Sequence, residues 1–292
     1  MAWFRLAAAL ALCAIAGAAQ APPDFAYDAA RPLGVTYGKV QRISASVSSR
    51  SISFVSPTGH TVSGEIIEGG KGASHPGVLF VHWLGDPKTT NHTEFEADAI
   101  ALAGHGVTSL LVDTMWAKPD WFEHMGVSAE SDYAESTAQV IDLRRALDVL
   151  TAQPGIDPAR IAYVGHDFGA MFGALLSGVD ARPKFYVLMA GTSSLSEWYL
   201  LEHHIKDAEA AAYVEKLAPL DILGSLQHAK AKAYLFQFSA HDHYIPHDRA
   251  QAFFEAAPLP RGVFYYDVDH SLAVRQAFSD RQAWLAEQLL GN

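Results

Sequence analysis

The stretch Ala162–Gly173, AYVGHDFGAMFG, decides how the rest of this chain is read. An apolar run meets a glycine, then three residues, then a second glycine, and small apolar residues follow. That pattern predicts a buried strand, a very tight turn and a helix packed close to the sheet. Gly165 and Gly169 lack the Cβ atoms that would block so sharp a turn. The residue at its tip is Asp167.

The surrounding sequence places this turn in an α/β domain. HPGVLFVHWLG, TSLLVDTMWA, RIAYVG, KFYVLMAG, AYLFQFSA and GVFYYDVDH read as strands buried on both faces. Helical stretches alternate with them. FEADAIALAGHGV predicts a helix closed by a glycine. From Ser136 to Gln153, Val140, Leu143, Leu147 and Leu150 recur at steps of three and four on one helical face. Ahead of the repeats, SISFVSPTGHTVSGEIIEGG alternates across a Pro-Thr-Gly turn, which predicts an antiparallel hairpin. A hairpin followed by β–α units predicts a mostly parallel twisted sheet with helices on both faces.

Residues 1–21 stand apart. A single early cation, Arg5, precedes an apolar run and then small residues, the pattern of a cleaved signal peptide. The expected protein is therefore secreted or periplasmic, with no stable membrane anchor. Residues 22–48 read as an N-terminal extension lying on the body, and 49–292 as the α/β domain. The 292-residue chain is half apolar and carries a net charge of −11. Loss of Arg5 with the leader makes this about −12 and removes Cys13, the only cysteine. A thiol-free, acidic chain without a basic stripe is not expected to bind nucleic acid.

In open α/β sheets the chemistry gathers at the carboxyl ends of the strands. There the sequence places His82 and Trp83, Asp113 and Trp116, Asp167, Asp242, and His270. The order of an elbow residue, then an acid, then a histidine matches that of the α/β-hydrolases. The histidines of HDHYIPHD, His241, His243 and His247, suggest a metal cluster at first sight. The strand-end acid accounts for the loop without one, so no metal and no cofactor are expected.

From about Ser49 to Leu290 the chain resembles the α/β-hydrolases. Its compact layout resembles the dienelactone-hydrolase-like branch. Its elbow, Gly165-His166-Asp167-Phe168-Gly169, is similar to those of epoxide hydrolases and haloalkane dehalogenases, whose nucleophile is an aspartate. The resemblance implies that Asp167 is the nucleophile, Asp242 the orienting acid and His270 the base. It implies oxyanion donors in the backbone amides of Phe168 and of Trp83 or Leu84. The chain departs from these families in three places. It reads His82-Trp83-Leu84-Gly85 where they read His-Gly, it has Phe168 where dehalogenases have Trp, and its lid segment, about 192–218, is short.

Chemistry then suggests a substrate. An ordinary aspartate is ionised at neutral pH and attacks without help. Attack on an ester carbonyl would give an anhydride that readily reverts, whereas attack on an epoxide or alkyl halide gives an alkyl ester. The sequence therefore predicts a hydrolase opening epoxides or cleaving carbon–halogen bonds in small apolar molecules. Tyr199 and Tyr213 are candidate proton donors, and Trp83 and Trp116 candidate halide donors. His82, Trp116, Trp121, Phe122, Trp198 and Tyr199 are expected around an apolar pocket. An ester or lactone hydrolase is the alternative enzyme, and a non-catalytic binding protein on the same fold is the alternative outside catalysis.

Overall fold

The computed structural model describes residues 23–291 except 70, 71, 73, 202 and 204. The leader proposed for residues 1–21 lies outside the described residues. The predicted hairpin is β3 (Ser48–Val55) and β4 (Thr61–Glu68), joined through Pro57-Thr58-Gly59. The buried runs form β5 (His75–Val81), β6 (Thr108–Val112), β7 (Ile156–His166), β8 (Phe185–Met189), β9 (Ala233–Ser239) and β10 (Arg261–Tyr266). Two short strands, β1 (Thr36–Tyr37) and β2 (Gln41–Arg42), both pair with β3. The sheet order is β1-β3-β4-β6-β5-β7-β8-β9-β10. Pairing is antiparallel up to β4–β6 and parallel beyond it.

The helices are α1 (Glu96–Ala103), α2 (Trp121–His124), α3 (Ala129–Thr151), α4 (Phe168–Val179), α5 (Leu195–Tyr199), α6 (Asp207–Leu217), α7 (Ile222–Gln227), α8 (His247–Ala256) and α9 (Arg275–Leu290). Helix α1 packs on α9, and α3 packs on α4, α4 on α7 and α7 on α8. The central strands β5, β6, β8 and β9 are buried at every position, as continuous apolar runs require.

Two sequence expectations differ from the structure. Helix α3 starts at Ala129, not Ser136. Ser128 caps it by accepting a hydrogen bond from Ser131 N. Its first turns bury polar residues: Asp132 accepts from Tyr213 Oη at 2.6 Å, and Ser136 Oγ pairs with Tyr199 Oη at 2.9 Å. The apolar period is therefore missing where the helix begins. Strand β10 is an edge strand, with Phe264 and Tyr265 exposed rather than buried. Residues 25–32 bond helix α3. Arg144 donates to the carbonyl of Phe25, Arg145 donates to those of Arg31 and Pro32, and Tyr27 Oη bonds Asp148.

Candidate active site

Asp167 forms the tip of the β7–α4 elbow with φ 55° and ψ −115°, a conformation that costs a non-glycine residue about 1–3 kcal/mol. The flanking glycines are sterically required. A Cβ on Gly165 would meet the carbonyl oxygen of Gly169 at 2.3 Å, and one on Gly169 would meet that of Val81 at 2.2 Å. The turn drives the Asp167 carboxylate into the protein, where the residue is 2% exposed. Oδ2 accepts a hydrogen bond from the Leu84 amide at 3.0 Å. Oδ1 is buried and has no hydrogen-bond partner among the described residues.

This environment changes the acid. Burial dominates and pushes the Asp167 carboxyl up to about 7. The His270 charge and the Leu84 amide pull the other way, and Glu94 and Asp242 add to the rise. The expectation of a carboxylate fully ionised at neutral pH is thereby corrected.

His270 follows β10, and its Nδ1 stands 2.8 Å from Asp242 Oδ2. Asp242 Oδ1 accepts the amides of Tyr244 at 2.9 Å and Ile245 at 3.0 Å. Burial alone would raise the Asp242 carboxyl. The His270 bond and charge, with the two amides, outweigh burial and hold it below the usual carboxylate range. An ionised Asp242 fixes the His270 ring with a proton on Nδ1 and leaves Nε2 for exchange with a substrate. Trp198 stacks on the ring at 5.6 Å, and Tyr244 meets it edge-on at 5.3 Å.

Asp167 and His270 line one cavity of about 380 Å³. Its walls include Trp83, Leu84, Phe122, Met125, Phe168 and Trp198, and no lysine or arginine is among its lining residues. Trp198 and Leu201 reach it from the segment between β8 and β9. Four residues expected in this pocket, His82, Trp116, Trp121 and Tyr199, are not among its lining residues. Trp116, Trp121 and Tyr199 pack around Phe168 at ring distances of 5.3, 5.4 and 5.7 Å. The indole N–H of Trp116 donates to His82 O, and that of Trp121 donates to Glu135. Tyr199 Oη pairs with Ser136 Oγ and Tyr213 Oη donates to Asp132, and neither tyrosine lines the cavity.

His82 is fully buried, and burial lowers its proton affinity. Its Nδ1 donates to Trp83 O at 2.8 Å, and its Nε2 faces the Thr114 hydroxyl at 3.0 Å. Asp113 bonds His92 at 2.7 Å and lines a separate polar cavity of about 370 Å³. His241 pairs with Asp267. Among the described residues no three His, Cys, Asp or Glu side chains converge as a metal ion needs, and no helix is long and apolar enough to cross a membrane.

Of the expected oxyanion donors, the Leu84 amide points at Asp167. Phe168 N is the first helical nitrogen of α4, a position with no intrahelical acceptor. The Trp83 amide is taken, because it donates to Glu94 Oε2 at 2.7 Å. Glu94 and its partner His166 went unnoticed in the sequence. They lie 72 residues apart; His166 stands inside the elbow motif, but nothing in that motif points to Glu94.

No protein-family model matches the chain, and no curated protein matches it in sequence. Solved structures do. An acetyl xylan esterase from Paenibacillus sp. R4 is 17% identical with a TM-score of 0.74, over 89% of this chain and 90% of that one. Acetyl xylan esterase 1 from Thermoanaerobacterium sp. JW/SL YS485 is 13% identical with a TM-score of 0.72, over 88% of each chain. A cold-adapted esterase from an Arctic intertidal metagenomic library is 19% identical with a TM-score of 0.61, over 87% of this chain and 99% of that one. At such identities the likeness is one of fold. With the sheet order and the elbow, it defines the architecture: this chain has the α/β-hydrolase fold.

Proposed function

We propose that the protein is a hydrolase of small, uncharged carboxylic esters, with Asp167 and His270 as its acid–base pair and Asp242 orienting His270. The observation that carries this reading is the state of Asp167. One oxygen is held by Leu84, the other is free, and burial sets its proton affinity near neutrality, where a general base works best. The names of the similar structures, several of them esterases, favour an ester over an epoxide or alkyl halide.

The steps balance around one proton shared by Asp167 and His270. Water gives a proton to Asp167 Oδ1, and its oxygen adds to the ester carbonyl. The Phe168 amide donates to the developing oxyanion. The tetrahedral carbon then releases the alcohol oxygen, which takes a proton from Nε2 of His270. The proton on Asp167 passes to His270 and restores the pair. No covalent anhydride forms. The cavity holds Asp167 with Glu94 and Asp242 nearby and is lined by no lysine or arginine, so a carboxylate-bearing substrate is disfavoured.

One observation favours a second reading, the covalent one. Oδ2 already rests on the Leu84 amide, where the carbonyl oxygen of an aspartyl ester would need a donor. Attack by Oδ1 on an epoxide or alkyl halide would then leave an ester for His270 and water to hydrolyse. Against it, the hydroxyls of Tyr199 and Tyr213 and the Trp116 indole N–H are bonded elsewhere. A panel of neutral p-nitrophenyl esters, styrene oxide and bromobutane separates the two. Turnover of esters alone, lost in Asp167→Ala, is expected. Turnover of the epoxide or halide alone contradicts the ester reading.

A further inference from the structure

His166 is the last residue of β7, fully buried beside Asp167. Its Nδ1 is 2.6 Å from Glu94 Oε1, and its Nε2 is 3.1 Å from the backbone carbonyl of His270. The other Glu94 oxygen accepts the Trp83 amide at 2.7 Å. The Trp83 ring lies flat on the His166 ring, with 5.0 Å between centroids and 3° between planes. A single side-chain pair therefore touches the loop that carries Leu84, the elbow that carries Asp167 and the loop that carries His270.

Hydrogen-bond accounting fixes the ring. The His270 carbonyl can only accept, so Nε2 of His166 carries a proton. Nδ1 then either donates to an ionised Glu94 or accepts from a protonated one. In both cases Glu94 keeps His166 in the form that holds the His270 main chain. The geometry points to Glu94 and His166 as positioning residues that set where the His270 imidazole stands relative to Asp167. Neither touches the reacting atoms in this scheme.

The substitutions Glu94→Ala, Glu94→Gln and His166→Phe test this. A glutamine can donate its amide N–H to Nδ1 and accept the Trp83 amide with its oxygen, so it preserves the protonated Nε2. Alanine frees the His166 ring, and phenylalanine keeps the stack on Trp83 but loses both hydrogen bonds. The measurement is the nitrogen–proton NMR spectrum of the histidine rings, taken on variants that circular dichroism shows to be folded.

The His270 ring signals are expected to shift in Glu94→Ala and His166→Phe and to keep their positions in Glu94→Gln. The activity arm rests on the ester reading. There kcat should fall roughly 10- to 100-fold in the first two variants with KM little changed, and recover in Glu94→Gln. Unchanged His270 signals in folded Glu94→Ala and His166→Phe would overturn the proposal, as would an equal kcat loss in Glu94→Gln. If wild-type protein cleaves no ester, that failure counts against the ester reading alone, and the ring signals still decide.

Discussion

The Leu84 backbone amide holds one oxygen of Asp167 at 3.0 Å and leaves the other buried without a partner among the described residues. A carboxylate held this way has one oxygen for structure and one for chemistry. Its burial makes it a costly group to ionise, and that cost is measurable.

Asp167 takes up a proton more readily in the folded protein, at about 7, than in the unfolded chain, at its ordinary 3.8. The folded state therefore binds more protons between those values, and stability falls as pH rises through that window. Asp167→Asn should remove the loss. The variant is expected to melt several degrees above wild type at about pH 8 and to match it at about pH 4. Thermal unfolding of both proteins across that range checks it. Equal pH dependence in the two would mean that Asp167 is not the buried acid described.

The same proton governs turnover. A base must be free to accept, so kcat/KM should fall on the acid side with a midpoint near 7. An acid limb centred near 4 would place an ordinary, solvated carboxylate in the role.

Asp242 has the opposite sign. Its carboxyl is held below the usual range, so it stabilises the fold above that range and loses the contribution as pH falls through its folded value. Asp242→Asn should thus lower the melting temperature at neutral pH, where Asp167→Asn raises it. It should also lower kcat by roughly 10³- to 10⁴-fold, because the amide no longer holds the His270 ring in its working form. Steady-state kinetics beside melting curves separates the two effects.

Much of this was legible in the sequence because local patterns carry it. Apolar runs mark the strands, Gly165 and Gly169 mark the elbow, and Asp242 and His270 follow their strands in order. What was not legible depends on partners distant in the chain. The start of α3 is hidden because Asp132 and Ser136 face buried tyrosines supplied by the segment between β8 and β9. The rings of Trp116 and Tyr199, expected to line the pocket, pack instead behind Phe168, and their polar atoms are bonded away from it. The proton affinity of Asp167 arises from burial, which its neighbours in sequence do not state. Strand β10 reads as buried from its apolar residues, yet among the described residues no strand flanks it on the outer side.

The absence of lysine and arginine from the cavity lining predicts charge discrimination. A neutral ester should be cleaved at least about tenfold more efficiently than its carboxylate-bearing analogue of equal size, since burying an unpaired anion beside acidic groups costs more than about 1.4 kcal/mol. Paired kcat/KM values for a methyl-capped and a free succinyl ester give the ratio. Preference for the free acid would point to a cationic partner that this cavity lacks among its lining residues.

The role of Asp167 as a base toward water is tested most directly by one turnover of an ester in heavy-oxygen water, with enzyme in excess. If Asp167 only takes a proton from water, the carboxylic acid product carries the heavy oxygen at once, and the peptide containing Asp167 stays light. If Asp167 attacks the substrate itself and water then opens the intermediate at the Asp167 carboxyl carbon, the heavy oxygen appears in that peptide and the first product stays unlabelled. The account predicts the labelled acid and the light peptide; a heavy Asp167 peptide contradicts it.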